Sequence, residues 1–289
     1  MPFQRISILG VGLLGGSIGL AAKSSLNGCL ITGYGHRPTT LRLALEVGAI
    51  DRACSELAQA VQDADLVILG TPVGIFGDLL RGIRGCLPAG AVITDVGSTK
   101  RSVVSMAQRL LPQSVAFVGS HPMAGSEKRG VEFARTDLFH NALCITTPTR
   151  RTDPAALKKV EEFWRTIGMR IVRLSPAEHD RVLADVSHLP HALAAALVAM
   201  QSEQALGLAG KGFLDTTRIA GGDGALWRDI LLDNRANLRS SLRRLRRQID
   251  RLEEMLRRGD GAAIARWLDG AAARRQALLN QKLSEINPD

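Results

Sequence analysis

The chain has 289 residues, 45% of them apolar and 22% charged, which is the profile of an ordinary globular protein long enough for two domains. Its four cysteines, Cys29, Cys54, Cys86 and Cys144, are scattered without CxxC spacing, so neither a disulfide framework nor a zinc site is indicated, and the expected setting is a reducing cytoplasm. The formal net charge of +9 suits an anionic ligand, a nucleic acid or an acidic surface, although solubility charge on exposed helices accounts for much of the arginine.

The first element is a β-rich run from Arg5 to Leu9. It meets Gly10-Val11-Gly12-Leu13-Leu14-Gly15-Gly16-Ser17 and then a small, helix-compatible segment from Ile18 to Lys23. This is GxGxxG in the strand–turn–helix context that dinucleotide binding requires. Gly10 permits the tight turn, Gly12 lets a pyrophosphate approach the backbone, and Gly15 lets the helix pack against the strand. The helix N-terminus then offers free N–H groups to phosphate. The N-terminal apolar segment is cut at once by these glycines, so no secretory signal is read there.

A second strand spans Cys29 to Tyr34. Its end carries Gly35-His36-Arg37 where an NAD enzyme usually has an acid for the ribose 2′-hydroxyl. The missing carboxylate removes a repulsion towards a 2′-phosphate, and Arg37 is placed to pair with one, helped by Thr39 or Thr40. The reading is therefore NADP, with NAD as the alternative. Further strands span Asp65 to Gly70, with Thr71 and Pro72 at the carboxyl end, and Ala91 to Asp95, closed by Val96-Gly97-Ser98-Thr99-Lys100. A helix from Arg101 to Leu111 leads to the strand Val115 to Val118. The loop Gly119-Ser120-His121-Pro122-Met123-Ala124-Gly125-Ser126-Glu127 comes next. Ser98 and His121 both fall at carboxyl ends of strands, where α/β proteins place their chemistry, and neutral imidazole accepts a proton near pH 7. Strands at Ala142 to Thr147 and Arg170 to Leu174, with a helix from Pro154 to Ile167 between them, complete a mostly parallel sheet.

The fold changes at Ser175-Pro176-Ala177-Glu178, a capping box with proline at the first helical position. Beyond it the chain reads as helices only. One runs from Pro176 to about Leu206 and carries Ser187-His188-Leu189-Pro190-His191, where proline should kink it. His188 and His191 share a helical face but lack a third ligand in pattern, so no metal is expected. The apolar stretch Leu189 to Met200 is too short to span a bilayer. A glycine-rich linker from Lys211 to Gly224 carries Asp215 and Arg218, an arginine placed to clamp a carboxylate. Asp223 caps a long helix to about Arg258, with Leu238, Leu242, Leu245, Ile249, Leu252 and Leu256 in helical spacing, and a last helix ends near Leu283. The domains are thus 1–174, a Rossmann-like α/β unit, and 175–289, all-α.

Taken in order, Gly10 to Ser17, Asp95 to Lys100, Ser120 to Glu127, His188-Leu189-Pro190-His191, Thr217-Arg218-Ile219-Ala220 and Leu226-Trp227-Arg228-Asp229-Ile230 resemble the prephenate/arogenate dehydrogenase family of tyrosine biosynthesis. The resemblance covers about residues 5 to 275. It implies a Rossmann-like domain and then a helical dimerisation domain, and an NAD(P)-dependent oxidative decarboxylation. It implies His121 as the acceptor of the ring hydroxyl proton, with Ser98 supporting His121 and the nicotinamide. It implies a substrate pocket of Ser120, Glu127, His188, His191, Asp215, Arg218 and Trp227. The cofactor-binding candidates are Gly10, Gly12, Leu13, Leu14 and Gly15, with His36, Arg37, Thr71 and Pro72. Prephenate is the expected substrate, because His191 can donate to a keto oxygen and no evident carboxylate beside it would hold an ammonium; arogenate, with Glu127 as the partner of its ammonium, is the alternative. The expected assembly is a homodimer through the helical domain, with neither nucleic acid nor membrane as partner. A β-hydroxyacid dehydrogenase-like enzyme is disfavoured because the helix from Pro176 to Leu206 has no lysine. A nucleic-acid reader built on Arg235 to Arg258 is disfavoured by 4% aromatics and interleaved acids.

Overall fold

The computed structural model describes residues 3–125 and 128–286. It divides into two compact units, Met1–Arg235 and Ala236–Asp289. In the first, β1 (Arg5–Leu9), α1 (Leu13–Ser25), β2 (Leu30–Tyr34), α2 (Pro38–Glu46), β3 (Arg52–Cys54), α3 (Leu57–Val61), β4 (Leu66–Leu69), α4 (Phe76–Ile83), β5 (Val92–Asp95), α5 (Arg101–Leu110) and β6 (Ala116–Val118) alternate, with α2, β3, α3 and α4 added to the elements read from the sequence. The six strands are parallel in the order β3-β2-β1-β4-β5-β6. Period-two alternation supplies both faces: Ile6, Ile8, Leu66 and Ile68 pack into one apolar layer, and Leu9, Val67, Leu69 and Ile93 into the other. The strand order reverses between β1 and β4, so the ends of these two strands frame the crevice where such sheets bind ligands.

The sequence pattern puts His121 in a loop and the last strands in the same sheet. The structure corrects both. The chain leaves β6 at Gly119 and starts a second sheet, with β7 (Ser120–Pro122) antiparallel to β8 (Leu143–Thr146) and β8 parallel to β9 (Arg170–Arg173). The cause lies in the side chains of β5. Thr94 Oγ1 donates to the Val118 carbonyl at 2.7 Å, and Asp95 Oδ1 accepts the Ser120 N–H at 3.0 Å, so side chains take over where the first ladder stops. Helix α6 (Pro154–Thr166), capped by Asp153, connects β8 to β9 and buries Trp164.

The capping box at Ser175 forms as predicted and opens α7 (Pro176–Leu183). The expected kink is instead a π-turn at Ala184–His188, and α8 (Leu189–Ala199) continues from it. Pro190 has no N–H to donate, and the wider winding just before it accommodates that loss. The helix also ends earlier than expected: Met200 closes it and Ser202 caps α9 (Glu203–Gly207). The predicted linker holds α10 (Lys211–Thr217) and a 3-10 turn at Arg218–Gly221 that packs against α8. Asp223 caps α11 (Gly224–Asp233) through the Leu226 N–H at 2.7 Å, but the helix breaks at Asn234 instead of continuing. Two long helices, α12 (Arg235–Arg258) and α13 (Gly261–Ile286), come last. Among the described residues, Pro176–Ala199 is the one helix long and apolar enough, by length and composition alone, to cross a bilayer. Within the protein, however, it carries the buried, hydrogen-bonded His179, Asp180 and His188.

Candidate active site

The glycine turn has the geometry of a phosphate cradle. Gly10 has φ +103°, and a side chain there would meet Thr71 Cγ2 at 2.5 Å, so the ends of β1 and β4 touch at the crevice. A Cβ on Gly15 would lie 2.2 Å from the Gly10 carbonyl, whereas Gly12 faces open space. No side chain caps α1, which leaves the first N–H groups of Leu13, Leu14 and Gly15 available to an anion. These residues fit a dinucleotide. Beside them, the Thr71 hydroxyl is buried without a hydrogen-bond partner among the described residues, and Pro72 is exposed at the mouth. At the far end of the crevice, His36 and Arg37 are exposed just beyond β2. The His36 ring lies edge-on to Tyr34, and Arg37 starts α2.

His121 faces the opposite side of β7 from Ser120. Its Nδ1 lies 2.8 Å from Nε2 of His179 on α7, and His179 Nδ1 lies 2.8 Å from Asp180 Oδ1. Asp180 in turn accepts the backbone N–H groups of Lys100 at 2.7 Å and Arg101 at 3.0 Å. Lys100 is fully buried and paired with Asp95, whose carboxylate also accepts the N–H groups of Gly97 and Ser120. Burial pushes the His121 pKa well below the usual histidine value, with His179, Lys100 and His188 adding to the shift. Burial also lowers His179, against its bond to Asp180. Asp180 moves the other way from what burial favours: the bonds from His179, Arg101 and Lys100 hold it below the usual carboxylate range. At neutral pH the site therefore holds neutral imidazoles beside an ionised carboxylate. An uncharged His121 is the state a general base requires.

On the neighbouring turn, His188 is fully buried, and burial first of all takes its pKa to about 4. Its Nδ1 lies 3.0 Å from Nδ2 of Asn234, which also donates to the Asp180 carbonyl at 2.7 Å. His191 stacks on Trp227 with centroids 3.5 Å apart and a 13° tilt, and the edge of His188 approaches the same indole. A side chain at Gly222 would lie 2.6 Å from Trp227 Nε1 and 2.8 Å from His191 Cε1, so glycine is needed for that stack. His188 Nε2 and His191 Nδ1 are buried without partners among the described residues. Such orphan nitrogens are costly unless a ligand satisfies them. Among the described residues no group of three His, Cys, Asp or Glu side chains is arranged to hold a metal ion.

The structure places the remaining candidate residues as follows. Ser120 is fully buried, its hydroxyl 2.8 Å from Thr94 Oγ1 and accepting from Trp164 Nε1 at 3.1 Å. Ser98 is half-buried, but among the described residues no hydrogen bond joins it to His121, whose partner is His179. Asp215 and Arg218 are exposed on α10 and the 3-10 turn. Glu127 lies outside the described residues. Sequence reasoning misses His179, Asp180, Lys100 and Asn234. The signal for the first two is a His-Asp pair on the inward face of α7 with Leu183.

A Rossmann-like sheet with this glycine turn, and a neutral histidine held beside its carboxyl edge, defines a nicotinamide-dinucleotide-dependent dehydrogenase. Residues 18–173 match the family model of the prephenate dehydrogenase nucleotide-binding domain, and residues 175–270 that of the prephenate dehydrogenase dimerization domain. The chain is 38% identical over 287 residues to prephenate dehydrogenase of Bacillus subtilis, covering 96% of this chain and 77% of that protein. The structure of prephenate dehydrogenase from A. aeolicus in complex with hydroxyphenyl propionate and NAD+ is similar, with a TM-score of 0.90, 34% identity and coverage of 95% and 98%. Arogenate dehydrogenase of Synechocystis is also similar, with a TM-score of 0.82, 30% identity and coverage of 95% and 99%. The chain belongs to the prephenate dehydrogenase family.

Proposed function

We propose that the chain oxidises and decarboxylates prephenate to 4-hydroxyphenylpyruvate, with His121 as the base. Residues 1–174 form the dinucleotide-binding domain and 175–289 the helical substrate and dimerisation domain of a cytoplasmic homodimer. The observation that carries this reading is the neutral, buried His121 held by His179 at the edge of a dinucleotide crevice. When bound in that crevice by Gly10, Gly12, Leu13, Leu14, Gly15, Thr71 and Pro72, the dinucleotide supplies a hydride acceptor. His121 takes the proton of the ring hydroxyl as the hydrogen on the same carbon leaves as hydride. The resulting dienone carbonyl withdraws electrons, the bond to the ring carboxylate breaks, CO2 leaves, and the released electron pair makes the ring aromatic as a phenolate, which takes back the proton held by His121. Ser98 faces the nicotinamide. Arg218 pairs with a substrate carboxylate, Asp215 and Glu127 orient neighbouring groups, and His188, His191 and Trp227 enclose the side chain.

Two finer choices complete the proposal. Exposed His36 and Arg37, with no acid at the end of β2, favour NADP over NAD. His191 Nδ1 is unpartnered, and carrying its proton there it donates to the keto oxygen of prephenate instead of accepting from the ammonium of arogenate. Reduced-cofactor absorbance with each substrate and each cofactor tests all of this. Turnover of prephenate with NADP+ at the highest kcat/KM is expected. Silence in all four combinations with cofactor binding intact overturns the reaction. A preference for NAD+ reduces Arg37 to a surface residue, and a preference for arogenate reassigns His191.

A further inference from the structure

We infer that Asp180 sets the tautomers of His121 and His188 in opposite senses, so that one ring presents a bare nitrogen to the substrate and the other an N–H. The inference rests on the reading of His121 as the base and extends it to three residues, His179, Asp180 and Asn234, that position the reacting imidazoles without being catalytic themselves.

The first branch runs through the Asp180 carboxylate, which can only accept hydrogen bonds. Three donors converge on it: the N–H groups of Lys100 and Arg101, and His179 Nδ1 at 2.8 Å. His179 is neutral, so with its proton on Nδ1 its Nε2 is a lone pair. That lone pair faces His121 Nδ1 at 2.8 Å, which must then carry the proton. In neutral His121 the remaining nitrogen, Nε2, is bare and able to take a proton. The other ionisable groups acting on this ring are Lys100, paired with Asp95, and His188.

The second branch runs through the Asp180 carbonyl. It accepts from Asn234 Nδ2 at 2.7 Å, and this fixes which end of the amide is nitrogen. The same NH2 group spends its other hydrogen on His188 Nδ1 at 3.0 Å. His188 Nδ1 is therefore the acceptor, and its proton sits on Nε2, the buried atom without a partner among the described residues. One ring thus offers an acceptor for a hydroxyl proton, and the other a donor for a substrate oxygen. Asp180 also caps the N-terminus of α5, which has no cap of its own. A purely structural role would end there and would leave the tautomers free.

The test is 15N NMR of the histidine-labelled full-length protein at neutral pH, with kinetics of two variants. The wild type is expected to carry the His121 proton on Nδ1 and the His188 proton on Nε2. The reverse assignment at either ring overturns the proposal, whatever the variants do and whatever the substrate proves to be. In Asp180→Ala His179 Nδ1 loses its carboxylate acceptor, which frees both rings of the first branch. His121 should then show its proton shared between Nδ1 and Nε2, and kcat should fall at least about tenfold with KM within about threefold. A folded Asp180→Ala protein with wild-type kcat overturns the first branch. In Asn234→Asp the carboxylate accepts from His188 Nδ1 and leaves Nε2 bare. KM for the substrate should rise at least about tenfold with kcat within about threefold, and an unchanged KM overturns the second branch.

Discussion

His121 performs base chemistry because its surroundings make the charged form expensive. Burial is the main cause, and His179, Lys100 and His188 act on the ring in the same direction. Replacing it with asparagine keeps a polar side chain but no basic nitrogen. His121→Asn should lower kcat by about 10²–10⁴ and leave dinucleotide affinity unchanged in a direct binding titration. A rate equal to wild type would remove His121 from the mechanism. Arg218 acts at the other end of the substrate by this account. Arg218→Ala should raise KM with little change in kcat, and an unchanged KM would take Arg218 out of the pocket. The same burial has a consequence for stability. His188 titrates near 6.5 when unfolded and at about 4 when folded. Below pH 6.5 the unfolded chain takes up a proton that the folded chain refuses, so stability falls as pH drops from about 6.5 to about 4. For His188 alone the loss reaches about 3 kcal/mol, and His121 and His179 shift in the same direction. Denaturant unfolding at pH 7 and pH 4.5 measures it. Equal stabilities at the two values would contradict the burial argument.

At the scale of elements, the glycine turn leaves no room for a side chain at Gly10 or Gly15. Gly15→Ala would drive a methyl group into the Gly10 carbonyl, so dinucleotide affinity should fall at least about tenfold and Tm should drop. Unchanged affinity by calorimetry would mean that α1 does not close on this turn. That turn, the capping box at Ser175 and the Asp223 cap are legible in the sequence because each is a local pattern whose chemistry is complete within a few residues. β7 is not, because a three-residue strand exists only through its pairing with β8, more than twenty residues away. The break at Asn234 is hidden for a similar reason. The apolar spacing continues across it, but its amide is recruited by Asp180 and His188, distant in sequence. His179 and Asp180 read as ordinary helix residues until α7 is seen to dock beside β7. Periodicity and local turn chemistry show well in a sequence. Polar side chains that answer to each other across the fold do not.

At the scale of the whole molecule, the family match includes a dimerization domain, and the surface of α12 agrees in kind. Leu242, Ile249 and Leu256 recur every seven residues and are 39%, 53% and 62% exposed, a stripe that suits burial against another helix. The proposed homodimer should show twice the chain mass in light scattering, and Ile249→Glu should shift it towards monomer. A wild-type monomer at micromolar concentration would contradict the proposed assembly. The net charge of +9 fits a substrate with two carboxylates as readily as it fits solubility, and nothing in the arginine-rich α12 requires nucleic acid to explain it. The proposed reaction joins two events, hydride loss and decarboxylation, in one site governed by His121. The most direct test measures reduced cofactor, CO2 and 4-hydroxyphenylpyruvate together during turnover of prephenate. Equimolar amounts of all three are expected, all lost together in His121→Asn. Reduced cofactor without CO2, or undiminished CO2 release from the variant, would contradict it.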